Sequence, residues 1–187
     1  MQETLAQLEE VVVTARRIEE SIQDAPLAVA VMSNDYLQSQ GVENIQDVLE
    51  LTPGASWNMF TKAQPAFTMR GINAGAFGNS SLETAAGLVQ DGVPMTKVFM
   101  FVGDIFDVER VEVMRGPQGT SFGRNSTIGL THIVSARPEN EFGAGVNVEA
   151  GEFGLAGTNG YVTGPVSDAL SYRVSWNLRD FDGIIED

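Results

Sequence analysis

The stretch VERVEVMRGPQGTSFGRNSTIGLTHIVSARP, residues 108–138, contains two short strand patterns joined by a glycine-rich segment. The first pattern covers Val108 to Met114, and its apolar and charged residues alternate as in a half-buried strand. The alternating residues are Arg110, Val111, Glu112 and Val113. The second pattern is Thr131 to Ser135. Between them, Gly116 to Gly119 reads GPQG and predicts a rigid turn, because a phosphate-binding loop would require a Lys that does not follow here.

The residues before this stretch predict further short strands and two helices. Ser33-Asn34-Asp35 offers a cap for a helix that Gly41 ends, and Asn44 caps a second helix that stops at Pro53-Gly54. Ile45, Val48 and Leu49 form the apolar face of this second helix, and Asp47 lies near its N-terminus. The other strand candidates are Ala28 to Met32, Phe67 to Arg70 and Leu88 to Gln90. A small mixed α/β domain over about residues 25–138 follows, in which intervening helices allow parallel pairing.

Beyond Phe142 the pattern becomes strictly alternating. Apolar residues occupy every second position from Ala144 to Ala150 and again from Leu170 to Leu178. A ten-residue strand tilted near 45° covers roughly 23 Å of membrane thickness. A glycine-rich strand from Leu155 to Gly164 links the two, and Gly164 to Asp168 is predicted as a tight turn. A soluble meander is the alternative, but three strands leave two open edges, so we expect more sheet than this chain contains.

Composition excludes several classes of function. The 187 residues carry a net charge of −14, which argues against nucleic-acid binding because phosphates require clustered Lys and Arg. There is no cysteine, hence no thiolate nucleophile or zinc-thiolate site. His132 is the only histidine and predicts a packed or surface residue, while Asp104 with Asp107 is too sparse for calcium. Neither a metal site nor a catalytic centre is predicted, and no cofactor is expected.

Five motifs, in order along the chain, resemble the plug domain of TonB-dependent outer-membrane receptors. They are Glu9 to Arg17 (EEVVVTARR), Asn44 to Gly54 (NIQDVLELTPG), Phe67 to Ile72 (FTMRGI), Val89 to Pro94 (VQDGVP) and Val108 to Pro138. The resemblance covers nearly the whole chain, and the last three strands fall where the barrel of that family begins. The family usually has a Gly-Gly-Ala-Ile-Asn run where this chain has Ile128 to His132. Because these residues are bulkier than glycine, the resemblance does not define the backbone conformation at this place.

The resemblance implies three parts: a flexible arm with a TonB box over 1–24, a plug domain over 25–138, and about three barrel strands over 139–187. The fold class is therefore an α+β plug domain with a small mixed β-sheet and short helices, followed by the first antiparallel strands of a truncated transmembrane β-barrel. We expect the plug to lie inside a barrel in the bacterial outer membrane, with the arm in the periplasm.

The arm contains a β-branched island that could add as a strand to the sheet edge of a partner. The resemblance implies that this partner is the TonB-type periplasmic energy-transducing protein. The expected binding residues are Glu10, Val11, Val12, Val13, Thr14 and Ala15. A disordered tail, or a first strand of the domain itself, is the alternative.

The resemblance also implies a set of charged residues that lock the plug to the barrel wall. These residues are Arg70, Arg115, Asp91 and Glu112. A guanidinium in a confined interface needs a bidentate carboxylate partner, since burying it alone is costly. The alternative for each arginine is a surface position with a solvent counter-ion.

Two segments are predicted as outward-facing loops that meet a small-molecule ligand, Asn58 to Pro65 and Gly75 to Leu82. The candidate ligand-binding residues are Trp57, Phe60, Phe77, Asn79, Ser80 and Ser81. Aromatic rings beside small polar groups suit a siderophore or a sugar equally, and loops without any ligand are the alternative.

The predicted function is energy-coupled uptake of a scarce ligand, such as a ferric siderophore or another metal chelate, and not catalysis. Cobalamin or an oligosaccharide is an alternative within this class. A soluble plug-like interaction module that binds a periplasmic or membrane partner without transport is the alternative from another class.

Overall fold

The computed structural model describes residues 12–13, 20–21, 28–61, 64–73, 85–95, 100, 102–123 and 125–182. The chain forms two compact units. The first consists of Met1–Asp104 and Arg110–Val134, and the second of Ile105–Glu109 and Ser135–Asp187. The described residues contain no helix that is both long and apolar enough to cross a membrane.

A five-stranded mixed sheet organises the first unit, with strand order β3-β9-β10-β7-β8. Its strands are β3 (Ala28–Ser33), β7 (Ala86–Gln90), β8 (Val93–Met95), β9 (Val108–Arg115) and β10 (Gly129–Ser135). β3 pairs antiparallel with β9, whereas β10 pairs parallel with β7 from Gly129↔Ala86 to Ile133↔Gln90. The predicted strands of this sheet are confirmed, and the parallel pairing that the sequence allowed occurs between β10 and β7. Ile128 to His132 lie buried at the start of β10 without breaking it.

The central strand β9 corrects the expected alternation. Four consecutive residues from Val111 to Met114, Glu112 among them, are fully buried, so β9 is buried on both faces and not on one. A carboxylate is tolerated at this depth because Glu112 has the side chains of Arg110 and His132 as partners. The core around it contains Val89, Met114, Phe122 and Leu130.

Two short helices lie between β3 and the next strand of the chain, and both begin at the caps predicted from the sequence. In α1 (Asn34–Ser39) the Ser33 hydroxyl accepts from the Tyr36 amide, and Leu37 is buried. In α2 (Ile45–Glu50) Asn44 and Asp47 form a capping box, in which each side chain accepts from the other residue's amide. Ile45, Val48 and Leu49 are buried, as predicted. A third short helix, α3 (Gly119–Phe122), lies within the GPQG segment and its continuation.

A second sheet, of order β4-β5-β6, replaces one predicted loop. β4 (Ala55–Thr61) pairs antiparallel with β5 (Gln64–Met69), which pairs with β6 (Ile72–Asn73). The prediction that Asn58 to Pro65 form a loop is therefore wrong for residues 58–61 and 64–65, which lie in β4 and β5. The cross-strand pair of Trp57 with Phe67 joins residues ten positions apart, a relation that the local sequence pattern does not reveal.

The second unit contains the three-stranded antiparallel sheet β11-β12-β13. Its strands are β11 (Gly143–Ala150), β12 (Ala156–Ser167) and β13 (Leu170–Asp180), which confirms the alternating segments as strands. The predicted turn from Gly164 to Asp168 is wrong, because β12 continues to Ser167 and the turn is Asp168-Ala169. Pro165 is accommodated by a register shift between Pro165 and Ser167, where a missing N–H does not interrupt a regular ladder.

The two faces of this sheet differ in polarity. One face carries exposed apolar side chains, among them Val146, Val148, Val174 and Leu178. The opposite face carries polar pairs, such as the Asn147–Asn159 hydrogen bond of 3.1 Å and the Arg179–Glu149 ion pair of 3.3 Å. Exposed valine and leucine side chains on neighbouring strands form a continuous apolar surface, and its exposure to water costs free energy.

Candidate functional site

Two arginines of the first unit converge on the turn that follows α2. The Arg70 amide donates to the Gly54 carbonyl at 2.8 Å, and Arg115 Nη1 donates to the Pro53 carbonyl at 3.0 Å. A Cβ built on Gly116 would lie 3.5 Å from Arg70 Nη1, so the Arg70 guanidinium passes directly beside the backbone that follows Arg115. Arg70 and Arg115 are thus near one another in the fold although they are distant in sequence, and they are here called the arginine pair.

The backbone at Arg70 is unusual. Arg70 and Gly71 form the two-residue turn between β5 and β6, with φ values of 52° and 76°. Positive φ at both positions is the geometry of a type I′ turn, which normally has Asn or Asp before Gly. Asp91 and Gly92 form the corresponding turn between β7 and β8, with φ values of 48° and 81°. An arginine in this conformation costs free energy that an Asn would not, which points to a use for its side chain.

The arginine pair has no carboxylate partner among the residues that the structure describes. The only described side-chain contact of Arg115 is the Pro53 carbonyl, and its buried Nε has no hydrogen-bond partner there. Arg70 is exposed and Arg115 is half-buried. A guanidinium that is partly withdrawn from water favours an anionic partner, and this applies most to the half-buried Arg115.

The two acidic residues predicted for the same lock lie elsewhere in the first unit. Asp91 is exposed at the β7–β8 turn, where its amide donates to the Ile133 carbonyl at 3.0 Å. Glu112 is fully buried, with Oε1 2.8 Å from Arg110 Nε and Oε2 3.5 Å from His132 Nδ1. The structure therefore brings together Arg70 and Arg115 but neither acid with them.

Sequence reasoning missed Arg110 and His132 as the partners of Glu112. His132 is 6% exposed and its ring centroid lies 5.8 Å from that of Phe122. The two strands that carry Glu112 and His132 are neighbours in the sheet, a relation that the sequence does not state. The available signal was the His itself, since a polar residue inside an apolar strand pattern requires a buried partner.

Of the predicted ligand-binding residues, Trp57 is the one whose side chain is described. Its indole stacks on Phe67 with a centroid distance of 6.3 Å and an interplanar angle of 5°. Trp57 Nε1 is buried and has no hydrogen-bond partner among the described residues. Phe60 lies in β4. The predicted loop from Gly75 to Leu82 lies outside the described residues. It contains the remaining candidates, Phe77, Asn79, Ser80 and Ser81.

In the arm, Val12 and Val13 form the short strand β1, paired antiparallel with β2 (Glu20–Ser21). Val12 faces Ser21 and Val13 faces Glu20 in this register. The other predicted TonB-binding residues, Glu10, Val11, Thr14 and Ala15, lie outside the described residues. In the part of the chain that is described, no group of three or more His, Asp or Glu side chains is arranged to hold a metal ion.

Comparison with known proteins gives a consistent set of relatives. The chain is 27% identical over 163 residues to the ferrioxamine B receptor of Salmonella typhimurium, covering 85% of this chain and 23% of that protein. It is 28% identical over 195 residues to the iron-regulated outer membrane virulence protein of Vibrio cholerae, covering 94% and 28%. The catecholate siderophore receptor Fiu of Escherichia coli is 27% identical over 135 residues, covering 70% and 16%. The chain thus spans between 16% and 28% of the length of these relatives.

Solved structures share the fold. The FpvAI–pyocin S2 complex matches with a TM-score of 0.78 at 21% identity, over 91% of this chain and 23% of that one. The pyoverdine outer membrane receptor FpvA of Pseudomonas aeruginosa, bound to pyoverdine, matches with a TM-score of 0.77 at 21% identity, over 91% and 24%. The family model described as TonB-dependent Receptor Plug Domain matches residues 21–130. With its mixed sheet, its short helices and the strands that follow them, the chain belongs to the TonB-dependent receptor plug domain family.

Proposed function

We propose that this chain is the gate and first barrel strands of an outer-membrane transporter that takes up a scarce ligand, such as a ferric siderophore, with energy from a TonB-type periplasmic protein. The arginine pair is the observation that carries this proposal. The Arg115 guanidinium bonds the turn at Pro53, the Arg70 guanidinium lies beside Gly116, no described carboxylate contacts either group, and Arg70 adopts a costly backbone conformation. Carboxylates on the inner wall of a barrel would satisfy both groups and hold the plug closed.

The sheet of the second unit supports a membrane setting. Its apolar face includes Val148, exposed to 80%, and Val174, exposed to 60%. In water such a surface would favour association, whereas hydrocarbon would cover it at no cost. The soluble interaction module gains no comparable support, because it would leave this face open. The outer-membrane location agrees with that of the iron-regulated outer membrane virulence protein among the relatives.

The ligand class follows from the relatives and not from a described pocket. Two relatives are named as receptors, one for ferrioxamine B and one for catecholate siderophores. Trp57 is the residue that we propose to meet such a ligand, since it offers a half-buried flat ring and an indole N–H without a described partner, which a shift of the hairpin would uncover. Phe60, Phe77 and the polar residues Asn79, Ser80 and Ser81 are proposed for the same role.

The decisive experiment is iron uptake by the full-length protein in cells that lack other siderophore receptors. Radioactive iron is supplied as ferrioxamine B or as a ferric catecholate, with and without a protonophore that abolishes the proton-motive force. We expect uptake of at least one chelate that stops with the protonophore and with deletion of the TonB-type protein. Uptake that persists without energy, or binding without uptake in every condition, contradicts the proposal.

The arm is tested separately with a peptide of residues 7–17 titrated against the periplasmic domain of the TonB-type protein. We expect binding that a Val12→Pro peptide loses, because proline removes an amide donor that strand addition requires. The antiparallel pairing of Val12 and Val13 with β2 supports the choice of Val12 for the proline substitution. Equal binding of both peptides, or none by either, would remove the arm from the coupling mechanism.

A further inference from the structure

The residues just before β9 are held to the three-stranded sheet by one arginine. Arg173, on β13, donates through Nε to both carboxylate oxygens of Asp107 at 3.0 Å and through Nη2 to Oδ1. The Asp107 and Arg173 side chains are 14% and 10% exposed, in contrast to the 40% and 33% of the neighbouring Glu149–Arg179 pair. A bidentate pair that is largely withdrawn from water is stronger and more directional than a surface ion pair.

Further contacts fix both partners. The Arg173 guanidinium lies 4.0 Å above the Tyr161 ring of β12, and its Nη1 lies 3.7 Å from Glu139 Oε1. Asp107 has a φ of 52°, a left-handed conformation that is uncommon outside glycine, and its carbonyl accepts from the Ala136 amide at 3.0 Å. Residues 105–109 accordingly belong to the same compact unit as the sheet, although the chain on either side of them belongs to the other unit.

The connectivity gives this attachment a consequence. Residues Arg110–Val134 leave the second unit at Glu109 and return to it at Ser135, so both of their ends are joined to it covalently. Residues up to Asp104 are joined to it at one end only. If residues 105–109 stay fixed, a pull on the N-terminal arm reaches no further along the backbone than Ile105.

We propose that the Asp107–Arg173 pair is a tether that persists while the gate opens, so that movement is confined to residues before 105 and Arg110–Val134 stay in place. This inference rests on the proposed transport function for its biological meaning. Asp107 and Arg173 are positioning residues here, since neither is required to contact the ligand. The tether differs from the arginine pair in that both of its partners lie within the described chain.

The first test is hydrogen–deuterium exchange of the full-length protein in outer-membrane vesicles, without any ligand or partner. Asp107→Asn keeps the shape of the side chain but removes the charge. We expect the Ala136 amide, which donates to the Asp107 carbonyl, and the β9 amides that directly follow Asp107 to exchange at least tenfold faster in Asp107→Asn and in Arg173→Gln than in the unmodified protein. Arg179→Gln, which breaks the exposed pair on the same sheet, is the matched control and should leave these amides unchanged. Unchanged exchange in Asp107→Asn overturns the tether, whatever the transport assay gives.

The second test follows movement with single cysteines, which the cysteine-free chain makes possible. Thr52 and Ser126 are 2% and 1% exposed, are close to cysteine in size, and lie before and after the tether in sequence. In energised cells supplied with a chelate that is taken up, Thr52→Cys should react with a maleimide at least tenfold faster than Ser126→Cys. Adding Asp107→Asn should remove that difference.

Equal labelling of the two cysteines with the tether intact means that the plug moves as one body, and it overturns the proposal. No labelling of either while uptake proceeds overturns it as well, because nothing before residue 105 would then move. Absence of uptake itself, with the exchange result as expected, is a failure of the proposed transport function and not of the tether.

Discussion

Glu112 Oε2 lies 3.5 Å from His132 Nδ1, between two neighbouring strands at the centre of the mixed sheet. The same carboxylate is 2.8 Å from Arg110 Nε through its other oxygen. Glu112 is fully buried, so its charge depends on these partners instead of on water. A buried group of this kind is costly to break because the remaining partner loses its counter-charge while it stays inside the protein.

The first prediction concerns that buried carboxylate. Glu112→Ala should lower the free energy of opening of β9 by about 3 kcal/mol, since it removes a fully buried carboxylate together with its contacts to Arg110 and His132. Hydrogen–deuterium exchange of the β9 amides in the full-length protein measures this quantity. Glu109→Ala, an exposed acid on the same strand, is the control and should change it by less than about 1 kcal/mol. Similar effects of both substitutions would show that burial of Glu112 contributes nothing specific.

The second prediction concerns Gly129 at the start of β10. A Cβ at this position would lie 2.7 Å from the Met114 carbonyl oxygen and would also collide with the Met69 sulfur. The methionine could move, but the carbonyl belongs to the backbone of β9 and cannot. Gly129→Ala should therefore destabilise the plug by about 2 kcal/mol, as expected when a packed core is overfilled.

Gly119 provides the matched control for this substitution. It begins α3, and a Cβ there meets nothing within 4 Å. Gly119→Ala should be neutral or stabilising by about 0.5 kcal/mol, because alanine loses less backbone entropy than glycine in a helix. The denaturant midpoint of plug unfolding in the full-length protein compares the two. A loss of stability in Gly119→Ala equal to that in Gly129→Ala would contradict the steric explanation.

Much of this fold follows from local sequence patterns. The Asn44 cap and the buried side of α2 each depend on residues within a few positions of one another, and the structure confirms them. The long alternating strands β11 and β13 are predictable for the same reason, since period-two patterning needs no knowledge of neighbours.

What failed depended on residues distant in sequence. The burial of Glu112 requires His132, twenty positions away on the next strand, and β4 is stabilised by a cross-strand pair between Trp57 and Phe67. The convergence of Arg70 and Arg115 needs the turn at Pro53, which only the assembled fold places between them. Without knowledge of these distant partners, the pattern of β9 predicts a half-buried strand and the β4–β5 hairpin is predicted as a loop.

The third prediction separates the charge of Arg70 from its turn. Arg70→Asn removes the guanidinium but places a residue that favours positive φ before Gly71. The β5–β6 hairpin should become more stable by about 1 kcal/mol, because the cost of a left-handed arginine is relieved. If the side chain holds the gate closed, the same variant should admit a large polar antibiotic through the resting channel, which lowers the inhibitory concentration of that antibiotic for cells.

Arg70→Lys is the companion variant. It keeps a positive charge and the unfavourable backbone conformation, but it loses the planar fork that binds a carboxylate through two donors. We expect Arg70→Lys to leak more antibiotic than the unmodified protein and less than Arg70→Asn. A stabilised hairpin without any leakage in Arg70→Asn would assign Arg70 to the surface and would leave Arg115 as the sole candidate of the pair.

The fourth prediction concerns Trp57 as a ligand contact. Trp57→Phe keeps a flat ring against Phe67 but removes Nε1, which has no hydrogen-bond partner among the described residues. Nε1 is buried in this structure, so it donates to the bound chelate only if the hairpin shifts on binding. If it does, loss of that hydrogen bond, worth about 1 to 1.5 kcal/mol, should raise the Kd roughly tenfold. Phe67→Leu is the control, since it disturbs the stack from the buried side and leaves Nε1 present. A Kd that rises in Phe67→Leu but not in Trp57→Phe would mean that the ring supports the hairpin and does not meet the ligand.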